Sequence, residues 1–296
     1  MNEVVSILGL GLMGGSLGLA LRRRAPGIRV IGWGRRPETR RQAVELGTVS
    51  EIAETPADAV RAAGIVVLCS PVRSLPELAA ACAPGLRPGS VVTDVGSTKA
   101  WVDAECAAAL SGSLSVFVGS HPMTGSERAG LAAAREDLYE NARVIVTGLG
   151  AAAQRVEAMW KTAGARVLRM TAEAHDALAA RVSHGPHLAA GMAAVAAARD
   201  GAGDADLGEI AGAGFRDTTR VADGSPDVWT DIISTNAGPV MEWMDAAAGA
   251  LAELRLAVEQ ERWEEVRAWL SRARNARRRI VEPAGGPASA EGSHHA

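Results

Sequence analysis

Proton chemistry in this 296-residue chain is best served by Val118-Gly119-Ser120-His121-Pro122-Met123-Thr124-Gly125-Ser126-Glu127, a histidine at a strand end followed by a turn of small polar residues. Imidazole has the side-chain pKa nearest neutrality, so one held at the mouth of a sheet is a natural general base. Alone, a histidine before proline is more often a turn residue or a satisfied structural group, and its surroundings have to decide. A second pair stands in Ser183-His184-Gly185-Pro186-His187. Three residues apart on a helix, His184 and His187 share a face and read as a packed pair. Metal binding is the poorer reading, because no third ligand has suitable spacing.

The elements that must position these groups begin with the short run Val4 to Leu8, which ends directly in Gly9-Leu10-Gly11-Leu12-Met13-Gly14 and continues as a helix through Leu17, Ala20 and Leu21. Strand, glycine turn and helix in that order make a dinucleotide fingerprint: a tight turn at Gly9, close backbone approach to a pyrophosphate at Gly11, close helix packing at Gly14. The anion would rest on the helix N-terminus, at Leu12 and Met13. The next strand, residues 28–33, ends about 20 residues past the fingerprint, where an NAD site places an acid. Here stand Gly34, Arg35 and Arg36. With no carboxylate to repel a 2′-phosphate and two guanidinium groups to bind it, the pattern favours NADP over NAD. In the rival reading these arginines only begin a surface helix around Pro37.

Alternation continues with helices over 56–63, 75–83, 98–110 and 151–163 and strands over 65–69, 91–95, 143–147 and 166–169. This spacing predicts an α/β fold with a parallel sheet and right-handed crossovers, whose strand ends at Ser70-Pro71-Val72, Gly96-Ser97-Thr98-Lys99 and Ser120-His121-Pro122 face one crevice. From Thr171 the pattern turns helical to about Ile280. The first long helix, 172–199, should kink at Gly185 and Pro186. The tail 282–296, rich in Pro, Gly, Ala and Ser, reads as disordered.

Composition sets bounds on partners. A hydrophobic content of 48%, a charged content of 22% and a net charge of -3 are those of a soluble globular protein and leave no footprint for nucleic acid or an anionic membrane. Arginine clusters stand at 22–24 and 277–279, and the second reads as the solvated end of a helix. Cys69, Cys82 and Cys106 are odd in number, lack metal-ligand spacing and accompany no secretory signal pattern, so a reducing cytoplasm is expected. No apolar run reaches the ~18 residues of a membrane span.

Several ordered segments together resemble the prephenate and arogenate dehydrogenases of tyrosine biosynthesis, over roughly residues 1–280. They are Gly9 to Ser16, Ser70-Pro71-Val72, Asp94-Val95-Gly96-Ser97-Thr98-Lys99, Gly119 to Glu127, Val182 to His187, and Gly214-Phe215-Arg216-Asp217-Thr218-Thr219-Arg220. The resemblance implies a doubly wound Rossmann-type domain, 1–169, followed by an all-α substrate and dimerisation domain, 170–281, in a homodimer. It implies oxidative decarboxylation of a cyclohexadienyl acid. His121 then bonds the 4-hydroxyl as it becomes a carbonyl, Ser97 shares that bond, Arg220 holds a substrate carboxylate, and His187, with His184 nearby, points to the substrate side chain. Ser126 and Glu127 border the entrance, Trp229 lies near the site, sometimes from the partner subunit, and Ser70 and Pro71 line the cofactor. Arg220 also has a plainer reading, an ion pair with Asp217.

Prephenate with NADP is the leading expectation. Arogenate, which carries an amine in place of the keto group, is a close rival. A two-domain hydroxyacid or imine reductase would centre on a lysine in the helical half, and no lysine follows Lys161. A nucleotide sensor without turnover is the remaining class.

Overall fold

The computed structural model describes residues 3–125, 128–198 and 204–282. Its first strands and helices alternate: β1 (Val5–Leu8), α1 (Leu12–Arg24), β2 (Val30–Trp33), α2 (Pro37–Glu45), β3 (Glu51–Ile52), α3 (Pro56–Val60), β4 (Ile65–Leu68), α4 (Leu75–Cys82), β5 (Val91–Asp94), α5 (Ala100–Ala109) and β6 (Val116–Phe117). The strands form one parallel sheet in the order β3-β2-β1-β4-β5-β6. Strands β1 and β4 are buried throughout, because each has neighbours on both edges and helices on both faces. Alternate residues serve two cores. Val5, Ile7, Ile65 and Val67 pack with Leu17, Leu21 and Trp160, whereas Leu8, Val66 and Leu68 pack with Leu75, Ala79, Val102 and Cys106.

The strands that follow depart from expectation. β7 (Ser120–Pro122), β8 (Arg143–Val146) and β9 (Arg166–Arg169), with α6 (Gly150–Thr162) between the last two, form a separate three-stranded sheet rather than an extension of the parallel one. β7 runs antiparallel to β8, and β8 parallel to β9. His121 is therefore the middle residue of a short strand, paired opposite Ile145, and not a loop residue beyond a parallel strand. The cause lies at residues 118–119. The Val118 amide still donates to the Val92 carbonyl at 2.8 Å, but the Gly119 carbonyl already accepts from the Thr147 amide at 2.9 Å. A Cβ on Gly119 would lie 2.1 Å from Asp103 Oδ1, so the chain changes sheets where only glycine fits.

The remaining described elements are helical: α7 (Ala172–Ala179), a π turn (Ala180–His184), α8 (Gly185–Ala197), α9 (Asp204–Ile210), α10 (Ala213–Thr219), α11 (Pro226–Thr235), α12 (Ala237–Glu259) and α13 (Trp263–Val281). The expected kink in the first long helix takes the form of the π turn. Pro186 has no amide and its ring would meet the carbonyl four residues back; the wider turn before it relieves both and leaves Pro186 in the first turn of α8. By compactness the chain divides into Met1–Met241, which includes α7 to α11, and Glu242–Ala296. No helix among the described residues is long and apolar enough to cross a membrane. The expected disorder of the tail concerns residues that, from 283 onward, lie outside those described.

Candidate active site

The strand order reverses direction of growth between β1 and β4, and a cavity of about 590 Å³ opens there, at the carboxyl ends of these strands. Gly9, Gly11, Gly34, Arg35, Arg36, Ser70 and Pro71 line it. Gly9 has φ +107°, and a Cβ there would lie 2.1 Å from the Cys69 carbonyl oxygen; a Cβ on Gly14 would meet the Gly9 carbonyl oxygen equally closely. Around Gly11, by contrast, the space is open. Helix α1 starts with no side-chain cap and no acid in its first turn, so its amides are available to an anion. Ser70 Oγ is buried beside them with no hydrogen-bond partner among the described residues. Arg35 and Arg36 are exposed on the rim, and their guanidinium groups make no hydrogen bond or ion pair among the described residues. These features fit a dinucleotide. Leu12, Met13 and Gly14 form the first turn of α1 rather than the cavity wall.

Below β5 lies a buried polar network that sequence reasoning did not assemble. Lys99, fully buried at the start of α5, donates its Nζ proton to Asp94 Oδ2 and to the Ser120 carbonyl at 3.0 Å. Asp94 also accepts from the amides of Gly96, 2.7 Å, and Ser120, 2.9 Å. Ser120 Oγ donates to the Asp94 carbonyl at 2.5 Å and accepts from Trp160 Nε1 at 3.0 Å. The residue before His121 is thus clamped on every polar atom. Asp176, at the start of α7's second turn, accepts from the amides of Lys99 at 2.7 Å and Ala100 at 2.8 Å, placing a carboxylate on the N-terminus of α5.

His121 is 8% exposed. Its Nδ1 lies 2.8 Å from His175 Nε2, and His175 Nδ1 lies 2.8 Å from Asp176 Oδ1. Burial first, then the charges of His175, the Lys99 ammonium and His184, hold the His121 pKa well below the ordinary histidine value. His121 is therefore a neutral imidazole at physiological pH. Nearby Asp103, which accepts from Thr147 Oγ1 at 2.6 Å, is pushed up to about 6, mainly by burial.

The helix pair separates in role. His184, lowered by burial to about 4 against the pull of Asp176, sits within 3.1 Å of Asn236 Nδ2, whose amide also donates to the Asp176 carbonyl at 2.9 Å. His187 stacks on Trp229 with ring centroids 3.4 Å apart and planes at 13°. Among the described residues, His187 Nδ1 and His184 Nε2 are buried without a hydrogen-bond partner. Ser97 joins β5 to α5 and turns its carbonyl toward His184. Arg220, which follows α10, is exposed, and its guanidinium makes neither the Asp217 ion pair nor any other hydrogen bond among the described residues. The structure brings His121, His184 and the Ser97 backbone into one electrostatic neighbourhood, and His187 onto Trp229; it shows no contact from Arg220 to either. Ser126 and Glu127 lie outside the described residues.

His175 and Asp176 were missed by sequence reasoning. Their signal was an adjacent acid and imidazole in an otherwise alanine-rich helix, and nothing in the sequence shows that α7 docks against β7.

Comparison with known proteins agrees with this architecture. Residues 17–169 match the family model "Prephenate dehydrogenase, nucleotide-binding domain", and residues 171–272 match "Prephenate dehydrogenase, dimerization domain". The chain is 35% identical over 266 residues to the prephenate dehydrogenase of Bacillus subtilis, covering 88% of this chain and 71% of that one. It superposes on prephenate dehydrogenase from Aquifex aeolicus, solved with hydroxyphenyl propionate and NAD+, with a TM-score of 0.86 and 31% identity over 95% of this chain and 99% of that one. Arogenate dehydrogenase from Synechocystis gives a TM-score of 0.80 at 28% identity, covering 94% and 99%.

Proposed function

The chain belongs to the prephenate dehydrogenase family, and from that premise we propose that it converts prephenate to 4-hydroxyphenylpyruvate and carbon dioxide with NADP as the preferred acceptor. One observation carries the catalytic part: a buried, neutral imidazole, His121, engaged through one ring nitrogen and with no protein partner on the other among the described residues. A bound nicotinamide supplies the hydride acceptor. His121 takes the 4-hydroxyl proton as that carbon becomes a carbonyl, and Ser97 shares the bond. The bond to the ring carboxylate then breaks, its electron pair makes the ring aromatic, and the phenolate oxygen recovers the proton from His121. Activity assays with prephenate and arogenate, each with NADP and NAD, test the assignment; turnover of neither acid would overturn it.

Neutral His187, with an unpaired nitrogen against Trp229, suits the keto oxygen of prephenate better than the ammonium of arogenate, which would call for an acid. The Arg220 guanidinium has five donors and no partner among the described residues, which suits a substrate carboxylate. Arg220→Leu is expected to raise KM for prephenate about 100-fold, the scale of losing hydrogen bonds to a charged group, with the Kd for NADP unchanged. An unchanged KM would return Arg220 to the surface. Arg35 and Arg36 are read as holding the 2′-phosphate: the double variant Arg35→Ser/Arg36→Ser should reduce the ratio of kcat/KM for NADP over NAD by at least about tenfold. A ratio that stays put, or a wild type that prefers NAD, overturns that cofactor preference. Helices α8, α12 and α13 carry exposed Met192, Val195, Leu251 and Leu270, and we read these as surfaces of a homodimer.

A further inference from the structure

We propose that His175 and Asp176 are positioning residues that set the tautomer of His121 and take up the positive charge formed when His121 accepts a proton. This rests on the reading of His121 as the base. The bonding pattern dictates the tautomers. Asp176 accepts the amides of Lys99 and Ala100, so its carboxylate is acceptor-only and His175 must present Nδ1–H to it. His175 Nε2 then carries a lone pair, and the 2.8 Å contact requires His121 to donate through its own Nδ1–H. His121 Nε2 is left with the lone pair a base needs. In the opposite tautomer that nitrogen would be capped by a proton.

The same chain can relocate charge. As the substrate hydroxyl proton binds His121 Nε2, the His121 Nδ1 proton passes to His175 Nε2. His121 stays neutral, and the imidazolium forms on His175, against the Asp176 carboxylate. After decarboxylation the phenolate oxygen takes the proton from His121 Nε2, and the His175 Nε2 proton returns to His121 Nδ1. The cation is thereby kept one ring farther from the Lys99 ammonium's clamp on β7. The charged and titratable groups around the chain are Lys99 at the start of α5, Asp94 on β5, Asp103 on α5, and His184 on the π turn. Because β7 supplies His121 and α7 supplies the other two, the base is competent only when these elements are docked.

The test has two arms on the full-length protein. Histidine ¹⁵N spectra at pH 7.5, assigned by His→Gln variants, should show His121 and His175 both protonated at Nδ1 and unprotonated at Nε2; His121 protonated at Nε2 would overturn the proposal. Asp176 also caps α5, so its loss endangers the fold, and His175→Gln serves as the kinetic variant. It keeps an acceptor for His121 but cannot take a proton. Its kcat for prephenate should fall about 100-fold with KM and the Kd for NADP nearly unchanged. The acidic limb of kcat/KM should move to lower pH, because glutamine cannot take up the positive charge that His175, against Asp176, accepts when the pair is protonated. A merely structural role would move neither the limb nor kcat alone, and an unchanged limb with unchanged kcat overturns the relay. A wild type that oxidises neither cyclohexadienyl acid removes the base reading and the transfer step with it, while the spectra still decide the hydrogen-bond chain.

Discussion

Replacing His121 with Asn is expected to lower kcat for prephenate by a factor on the order of 10³, the middle of the range for a positioned acid–base group, and to leave the Kd for NADP nearly unchanged. The separation follows from placement. The dinucleotide cavity is lined by residues of β1, β2 and β4 ends, and His121 lies on β7 of the second sheet, outside that lining. The pH profile carries the sign. A base held below its ordinary value stays unprotonated as pH falls, so kcat/KM should remain level through pH 6.5 and drop only below it. Asp103, pushed up to about 6, titrates close to that window, and the profile should be repeated in Asp103→Asn to separate the two. An acidic limb above pH 6.5 that persists in Asp103→Asn, or a kcat within about threefold of wild type in His121→Asn, would falsify the role of His121.

Lys99→Met should be the most destabilising single change at the site. It leaves the Asp94 carboxylate fully buried with only amide donors, and breaking a buried pair from one side costs about 3–5 kcal/mol. For a chain of this size that lowers Tm on the order of 10 °C. The double variant Lys99→Met/Asp94→Asn should lose less than Lys99→Met alone, since Asn retains an acceptor for the Ser120 amide without an uncompensated charge. Calorimetry on the two variants decides the matter; equal losses would mean the pair contributes nothing beyond packing. Removing the ammonium also takes away one of the charges that depress His121, so whatever folds should have a His121 pKa closer to the ordinary value.

Much of this protein was legible along the chain because its determinants are local. Gly9-Leu10-Gly11-Leu12-Met13-Gly14 after a buried strand specifies a turn that backbone sterics permit only to glycine, and the structure shows the carbonyl contacts that enforce it. Alternation of strand and helix over residues 4–110 allows few topologies once crossovers are right-handed, and the order β3-β2-β1-β4-β5-β6 is among them. Arg35 and Arg36 reach the cofactor cavity simply because they follow β2, whose carboxyl end opens there.

What the tertiary structure alone decided involves partners distant in sequence. That β7 leaves the parallel sheet depends on Asp103 and Thr147 crowding Gly119 from two other elements. That Pro186 follows a π turn depends on how α7 and α8 pack, since a local pattern permits a kink but does not specify its form. The sequence by itself determined which imidazole could act as a base, through residue type and a strand-to-turn setting. Only the fold determined which nitrogen of His121 is free, because His175 and Asp176 lie more than fifty residues away and reach it through hydrogen bonds that no spacing encodes.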